Sequence, residues 1–307
     1  AMVYLVSVAF QDSLRVEHFV LKLDRAGKKT RSDEIDRHNR AKSLSPTSFA
    51  EQHIPENHFG RVDSDEAIAI FYAIAGQSLR EFRPLSKFQQ QSQLETIFRE
   101  TYRYFLSEWN AEPAFRQALH PQTLLQDWLG FRLNPGGNIE TFMREACQVD
   151  PEGNGFLIRG RVFPNPLLYA RHEESWSGVR PGDAIYGMHH GDLNTNNILV
   201  KFTRGGDELD GFFLIDFALF KENLPLLYDL RYLEMSYLLV AISQASLARG
   251  VDLFVQLGEA DILEPHRAPI EMAGPAAVIR TARLVFDEWV RREHPTLLDD
   301  LWGQYWL

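Results

Sequence analysis

A single cysteine, Cys147, occurs in 307 residues. No disulfide can form within the chain, and a reducing compartment, the cytoplasm, is the expected setting. Positive charge is also scarce: 32 Lys and Arg face 42 Asp and Glu, a formal charge of −10. Nucleic-acid binders concentrate basic side chains to displace counterions from phosphates, so no nucleic-acid partner is expected. An acidic surface suits a cationic small substrate slightly better, although its usual effect is to keep a protein in solution. Long apolar runs are missing as well. The longest, around Tyr237 to Ala248, is interrupted by Ser243 and Gln244 and is too short to cross a bilayer, so no membrane partner is expected. Repeats and low-complexity tracts are absent. What is present, 45% hydrophobic and 24% charged residues, is the composition of an ordinary globular chain with a sizeable core, arranged as one large or two modest domains.

The chemistry is concentrated between His189 and Phe217. His189-His190-Gly191-Asp192-Leu193-Asn194-Thr195-Asn196-Asn197 leads into Ile198-Leu199-Val200-Lys201-Phe202. A Gly/Asp-rich turn from Gly205 to Gly211 follows, then Phe212-Phe213-Leu214-Ile215-Asp216-Phe217. Two β-forming runs around such a turn predict a hairpin. Asp192 and Asn197 precede the first strand and Asp216 follows the second, so the hairpin returns all three to one end. Phosphoryl transfer needs such a set: a carboxylate to orient or deprotonate the attacking hydroxyl, and an amide oxygen with a second carboxylate to hold magnesium. The order and spacing are those of kinases. His189 and His190 are not read as a metal pair, because adjacent side chains on extended backbone point to opposite faces.

On these residues the sequence resembles the aminoglycoside phosphotransferase and choline kinase-like branch of the protein-kinase-like fold, whose usual wording is His-Gly-Asp-x-x-x-x-Asn and then Ile-Asp. The resemblance implies Asp192 as catalytic base, Asn197 and Asp216 as metal ligands, ATP and Mg2+ as cofactors, and a hydroxylated small molecule as substrate. It also implies that His190 braces the loop and that Asp229 accepts backbone donors from it; an N-cap is the alternative for Asp229. The fold expected is α+β and two-lobed: a small β-rich N-lobe over residues 1–79 and a helical C-lobe over 80–307 carrying the hairpin at 189–217.

Upstream, the β-formers Val3 to Phe10 and Val16 to Leu23 flank Gln11-Asp12-Ser13 and predict a first hairpin. Lys22 reads either as a solvated edge-strand lysine or, by the resemblance, as the lysine that grips the nucleotide phosphates. Ser32 to Ala41 has a capping Ser and acidic residues in a first helical turn. Glu34 is the candidate to pair with Lys22, with Asp33 and Asp36 as competitors. Within Glu66 to Leu79, the apolar run after Glu66 reads as a buried strand that stops at Gly76, ahead of the polar pair Gln77-Ser78. The resemblance places an interlobe hinge at its end, with Tyr72, Ala73 and Ile74 lining an adenine slot. Leu94, Ile97, Phe98, Thr101 and Phe105 form a helical stripe. Helices are also expected near 121–131, 139–147, 229–249, 251–257, 273–294 and 295–307, and a short strand at 185–188. Glycines and prolines between Asp150 and Asp183 predict irregular structure. Glu173 and Glu174 there read as solvated loop acids.

The sequence departs from the family at two points. No first strand with a glycine-rich phosphate loop precedes the strand at Val3, and Thr195-Asn196 replaces the usual Pro-Gly, a change that Asn tolerates. Ala1-Met2 reads as a remnant ahead of an internal start, and the helix at Trp306-Leu307 ends uncapped, so flanking domains of a longer polypeptide are expected as partners. The leading reading is an ATP-dependent phosphotransferase. The alternative is a catalytically weak or inactive kinase-like module that binds nucleotide or a partner chain inside a larger bacterial regulatory or defence protein. A protein Ser/Thr kinase is the third reading, disfavoured because Gly191 replaces the arginine typical of that branch.

Overall fold

Strand β1 (Met2–Ala9) pairs antiparallel with β2 (Val16–Arg25), as the β-formers predict. β2 pairs in turn with β4 (Ala67–Ala73), and β4 with β3 (Asn57–Asp63), giving an antiparallel sheet in the order β1-β2-β4-β3. In the register Lys22 lies between Val3 and Ile70, and Val20 lies opposite Tyr72. Directly opposed residues share a face and the side-chain period is two, so Val20, Lys22, Ile70 and Tyr72 all project to one side. Helix α1 (Glu34–Leu44) covers that side, packing Ile35 on Ile68, Ile70 and Tyr72. Its first turn carries Glu34 and Asp36 and its last Lys42, in the sense the helix dipole favours.

This computed structural model describes residues 2–9, 16–25, 34–64, 67–76, 81–158, 160–172, 174, 177–206, 208–243 and 273–306. The turn at Gln11-Asp12-Ser13, the helix start at Ser32-Asp33, Glu173 and the helix expected at 251–257 lie outside them. β4 stops at Ala73, earlier than the apolar run predicts. The chain turns at Gly76, whose φ of +74° and close approach to the Phe82 ring leave no room for a Cβ.

The hairpin forms as expected from β10 (Ile198–Phe202) and β11 (Leu209–Leu214), with β5 (Arg83–Pro84) on its outer side. The strand expected at 185–188 is longer: β9 (Gly182–His189) sits between β6 (Ala114–Leu119) and β12 (Lys221–Pro225). Neither flanking strand shows in the sequence pattern, because each pairs on one side only and β6 is largely exposed. The stretch 150–183 is more regular than its glycines and prolines suggest. Gly160, at φ +80°, joins β7 (Gly155–Ile158) to β8 (Arg161–Pro164). The Asn165 side chain then accepts from Leu167 N (3.0 Å) and caps α6 (Pro166–Arg171).

Helix α2 (Thr47–His53), unannounced by any pattern, rests on β11. α3 (Gln91–Tyr104) buries the predicted stripe and passes into a π-helical turn at Phe105–Trp109. α4 (Pro121–Leu129) and α5 (Asn138–Glu145) match two expected helices. α7 (Tyr228–Ser243), α8 (Ala273–Glu293) and α9 (Leu298–Trp306) complete the main core with α3 and the hairpin. The fold class is α+β. Among the described residues, no helix is long and apolar enough to cross a membrane.

Candidate functional site

α1 leans on the sheet so that Glu34, in its first turn, meets Lys22 at the middle of β2. The ammonium lies 2.7 and 2.9 Å from the two carboxylate oxygens of Glu34, and 3.0 Å from Asp216 Oδ1. Of the described acidic candidates, Glu34 and Asp36, Glu34 is therefore the partner; Asp36 faces solvent. Burial disfavours the charged ammonium, but the carboxylates of Asp216 and Glu34 outweigh it and hold Lys22 above its ordinary pKa. Glu34, itself buried, also accepts from the Tyr72 hydroxyl at 2.7 Å. Burial and that carboxylate push the Tyr72 pKa far up. Tyr72 thus braces Glu34 with its hydroxyl.

Asp216 follows β11 in the left-handed conformation, φ +68° and ψ +61°, which Asp tolerates better than most side chains. His190 holds the backbone beside it, its Nε2–H donating to Ile215 O at 2.8 Å. The loop itself is tied down from α7, where Asp229 accepts His190 N at 2.6 Å and Gly191 N at 3.0 Å. Gly191 has φ +81°, and a Cβ there would overlap the Leu219 carbonyl. Asn197 donates from Nδ2 to Asp192 O (2.8 Å) and to its Oδ2 (3.3 Å), so the amide oxygen stays available.

These groups open onto a cavity of about 280 Å³. Lys22, Glu34, Asn197 and Asp216 line its polar end; Val20, Ile74, Phe82 and Leu199 line the remainder, with Tyr72 between. Asp192 is not part of this lining and reaches it through Asn197. Hard oxygen donors at Asn197 and Asp216 suit Mg2+, which commonly takes one or two carboxylates and completes its shell with water and phosphate. Among the described residues, no group of three or more His, Cys, Asp or Glu is arranged to hold a metal ion.

The comparison with known families falls on this region. Residues 136–287 match the family model described as ternary complex associated domain 9. The match takes in Asp192, Asn197, Asp216 and α7 and leaves out Lys22, Glu34 and Tyr72. No curated protein matches the chain.

His38 is the residue that sequence reasoning passed over. It lies one turn after Glu34, lines the cavity and is 1% exposed. Its Nε2–H donates to Pro55 O at 2.8 Å, and burial pulls its pKa down to about 4. Ring contacts run from His190 to Phe217 (4.7 Å), from Phe217 to His38 (5.4 Å) and from His38 to Tyr72 (5.3 Å). This column joins the loop, the segment after Asp216, α1 and β4. The i+4 spacing from Glu34 was its only sequence signal.

Proposed function

We propose that this chain is an ATP-dependent phosphotransferase with a two-lobed protein-kinase-like fold, related to aminoglycoside phosphotransferases and choline kinases and acting on a hydroxyl of a small molecule. The observation that supports it most is Lys22, held at once by Glu34 and Asp216 at the polar end of an apolar slot. The slot takes a nucleobase between Val20 and Leu199, and Lys22 engages the phosphates. Asp192, steadied by Asn197, orients the acceptor hydroxyl and takes its proton. Asn197 and Asp216 would hold Mg2+, which neutralises charge on the phosphates when bound. Calorimetry with Mg-ATP, followed by an ADP-release assay over hydroxylated acceptors, tests this reading. Asp216→Asn is expected to abolish ADP release while the fold survives, and undiminished release would refute the assignment.

One observation favours a second reading, a nucleotide- or partner-binding module with weak activity inside a larger regulatory or defence protein. The matched family is described by association in a ternary complex. Mg-ATP binding without ADP release for any acceptor would support it.

A further inference from the structure

A second and larger cavity, of about 820 Å³, lies between the end of α2, one side of α3 and the β10–β11 hairpin. Phe82 is a wall common to it and the nucleotide slot, but none of the residues assigned above to phosphotransfer lines it. Carboxylates reach it from four parts of the chain: Glu51 of α2, Glu100 of α3, Glu81 ahead of β5, and Glu208 with Asp210 about the start of β11. Against these five acids stand two cations, Lys201 and Arg99, so the described lining carries a net charge of about −3. Lys201 is committed, 2.7 Å from Asp210 and 3.6 Å from Glu81, and Glu100 is met by Arg103 at 2.9 Å. Among the described residues, no cation lies within ion-pair distance of Glu51 or Glu208.

His53 is a second, independent sign of a ligand. It lines the cavity and is 4% exposed. A carbonyl only accepts, so the His53 Nδ1–H donates to Phe212 O at 2.9 Å and Nε2 is left as a lone-pair acceptor. The ring is held in place, stacked on Phe212 at 4.1 Å and 19° and meeting Tyr104 edge-on at 4.6 Å. Nε2 has no hydrogen-bond partner, a deficit that native interiors seldom leave unmet. A group that donates N–H and carries positive charge satisfies both His53 and the acids. The acids are spread along the cavity. Among the described residues, no three His, Cys, Asp or Glu surround one point, so a single metal ion is not the match. Charge distributed along a cavity is matched by charge distributed along a flexible chain.

We propose that this cavity binds a linear polyamine, one ammonium donating to His53 Nε2 and the others meeting Glu51 and Glu208. The site is separate from the one described above and does not depend on the phosphotransfer reading.

The test titrates spermidine calorimetrically into the full chain in about 0.15 M salt, where long-range attraction is screened. Nucleotide is left out, because polyphosphates bind polyamines themselves. Saturable binding at a single site is expected, about tenfold or more tighter than that of Mg2+ alone. Glu51→Gln combined with Glu208→Gln weakens it roughly tenfold or more, as loss of two charge-assisted contacts does. Glu112→Gln combined with Glu145→Gln removes the same charge from exposed positions outside this cavity and leaves the affinity unchanged. Asp216→Asn also leaves it unchanged, which separates this cavity from the nucleotide slot. His53→Phe keeps a ring on Phe212, deletes the acceptor and weakens binding. Circular dichroism checks that this variant is folded; if it is not, the two carboxylate pairs decide alone. Absence of saturable binding, Mg2+ binding as tightly as spermidine, or equal losses in the two double variants overturns the proposal.

Discussion

At the scale of single residues, the Glu34 carboxylate is shared between the Lys22 ammonium and the Tyr72 hydroxyl. Replacing Tyr72 by Phe keeps the ring in place and removes one of three hydrogen bonds to Glu34, so ADP release is expected to fall about tenfold, near the loss of one hydrogen bond to a charged group. Lys22→Met is expected to cost far more and to weaken Mg-ATP binding in the same calorimetric assay. His38 predicts a pH effect. The unfolded chain takes up a proton near 6.5, whereas folded His38 is held down to about 4 by burial. Protons therefore favour the unfolded state as pH falls from about 6.5 to about 4, by on the order of 3 kcal/mol, and the effect is absent above that window. Buried His53 acts in the same direction. Urea unfolding of the parent and of His38→Leu at pH 7 and pH 4.5 checks this: the parent loses more stability between the two than the variant does. A parent midpoint that stays level across the window contradicts it.

At the scale of elements, the loop from His190 to Asn197 depends on α7 and on one glycine. Gly191→Ala would force a side chain onto the Leu219 carbonyl at a φ of +81°, so the loop must move. A fall in melting temperature accompanied by loss of ADP release is expected. Asp229→Ala strands the buried His190 N–H and the half-buried Gly191 N–H and is expected to cost about 2 kcal/mol, read from the urea midpoint. This loop and its hairpin were legible in the sequence because turn chemistry and β-forming runs are local signals. Strands β6 and β12 were not. Each forms by pairing with β9, and residues such as Lys221-Glu222-Asn223 carry no β pattern of their own. The hairpin β7–β8 was hidden for a related reason: the glycines that read as breaks are what its tight turn and close strand approach require.

At the scale of the whole molecule, α3, α7, α8 and α9 are locked by a buried charge cluster. Glu234 is bound by Arg283 at 3.2 Å, by Arg231, by the Tyr102 hydroxyl at 3.0 Å and by Tyr305. Burial opposes its ionisation, but the arginines prevail and hold its pKa below the usual carboxylate range. Glu234→Ala removes the buried carboxylate that Arg283 and Arg231 both face and is expected to destabilise the protein by roughly 3–5 kcal/mol in urea melts. A loss under 1 kcal/mol would show that the cluster contributes little.

The sequence by itself determined the α+β class, the hairpin and the stripe of α3, and it placed Asp192, Asn197 and Asp216 about one end of that hairpin, because alternation, helical spacing and turn residues act over a few positions. Tertiary structure decided what those residues touch. It selected Glu34 over Asp36 for Lys22, turned the Tyr72 hydroxyl to Glu34 and brought His38 into the cavity. Each of these depends on how a helix seats against a distant segment, and packing between segments far apart in the chain leaves no periodic trace in either one.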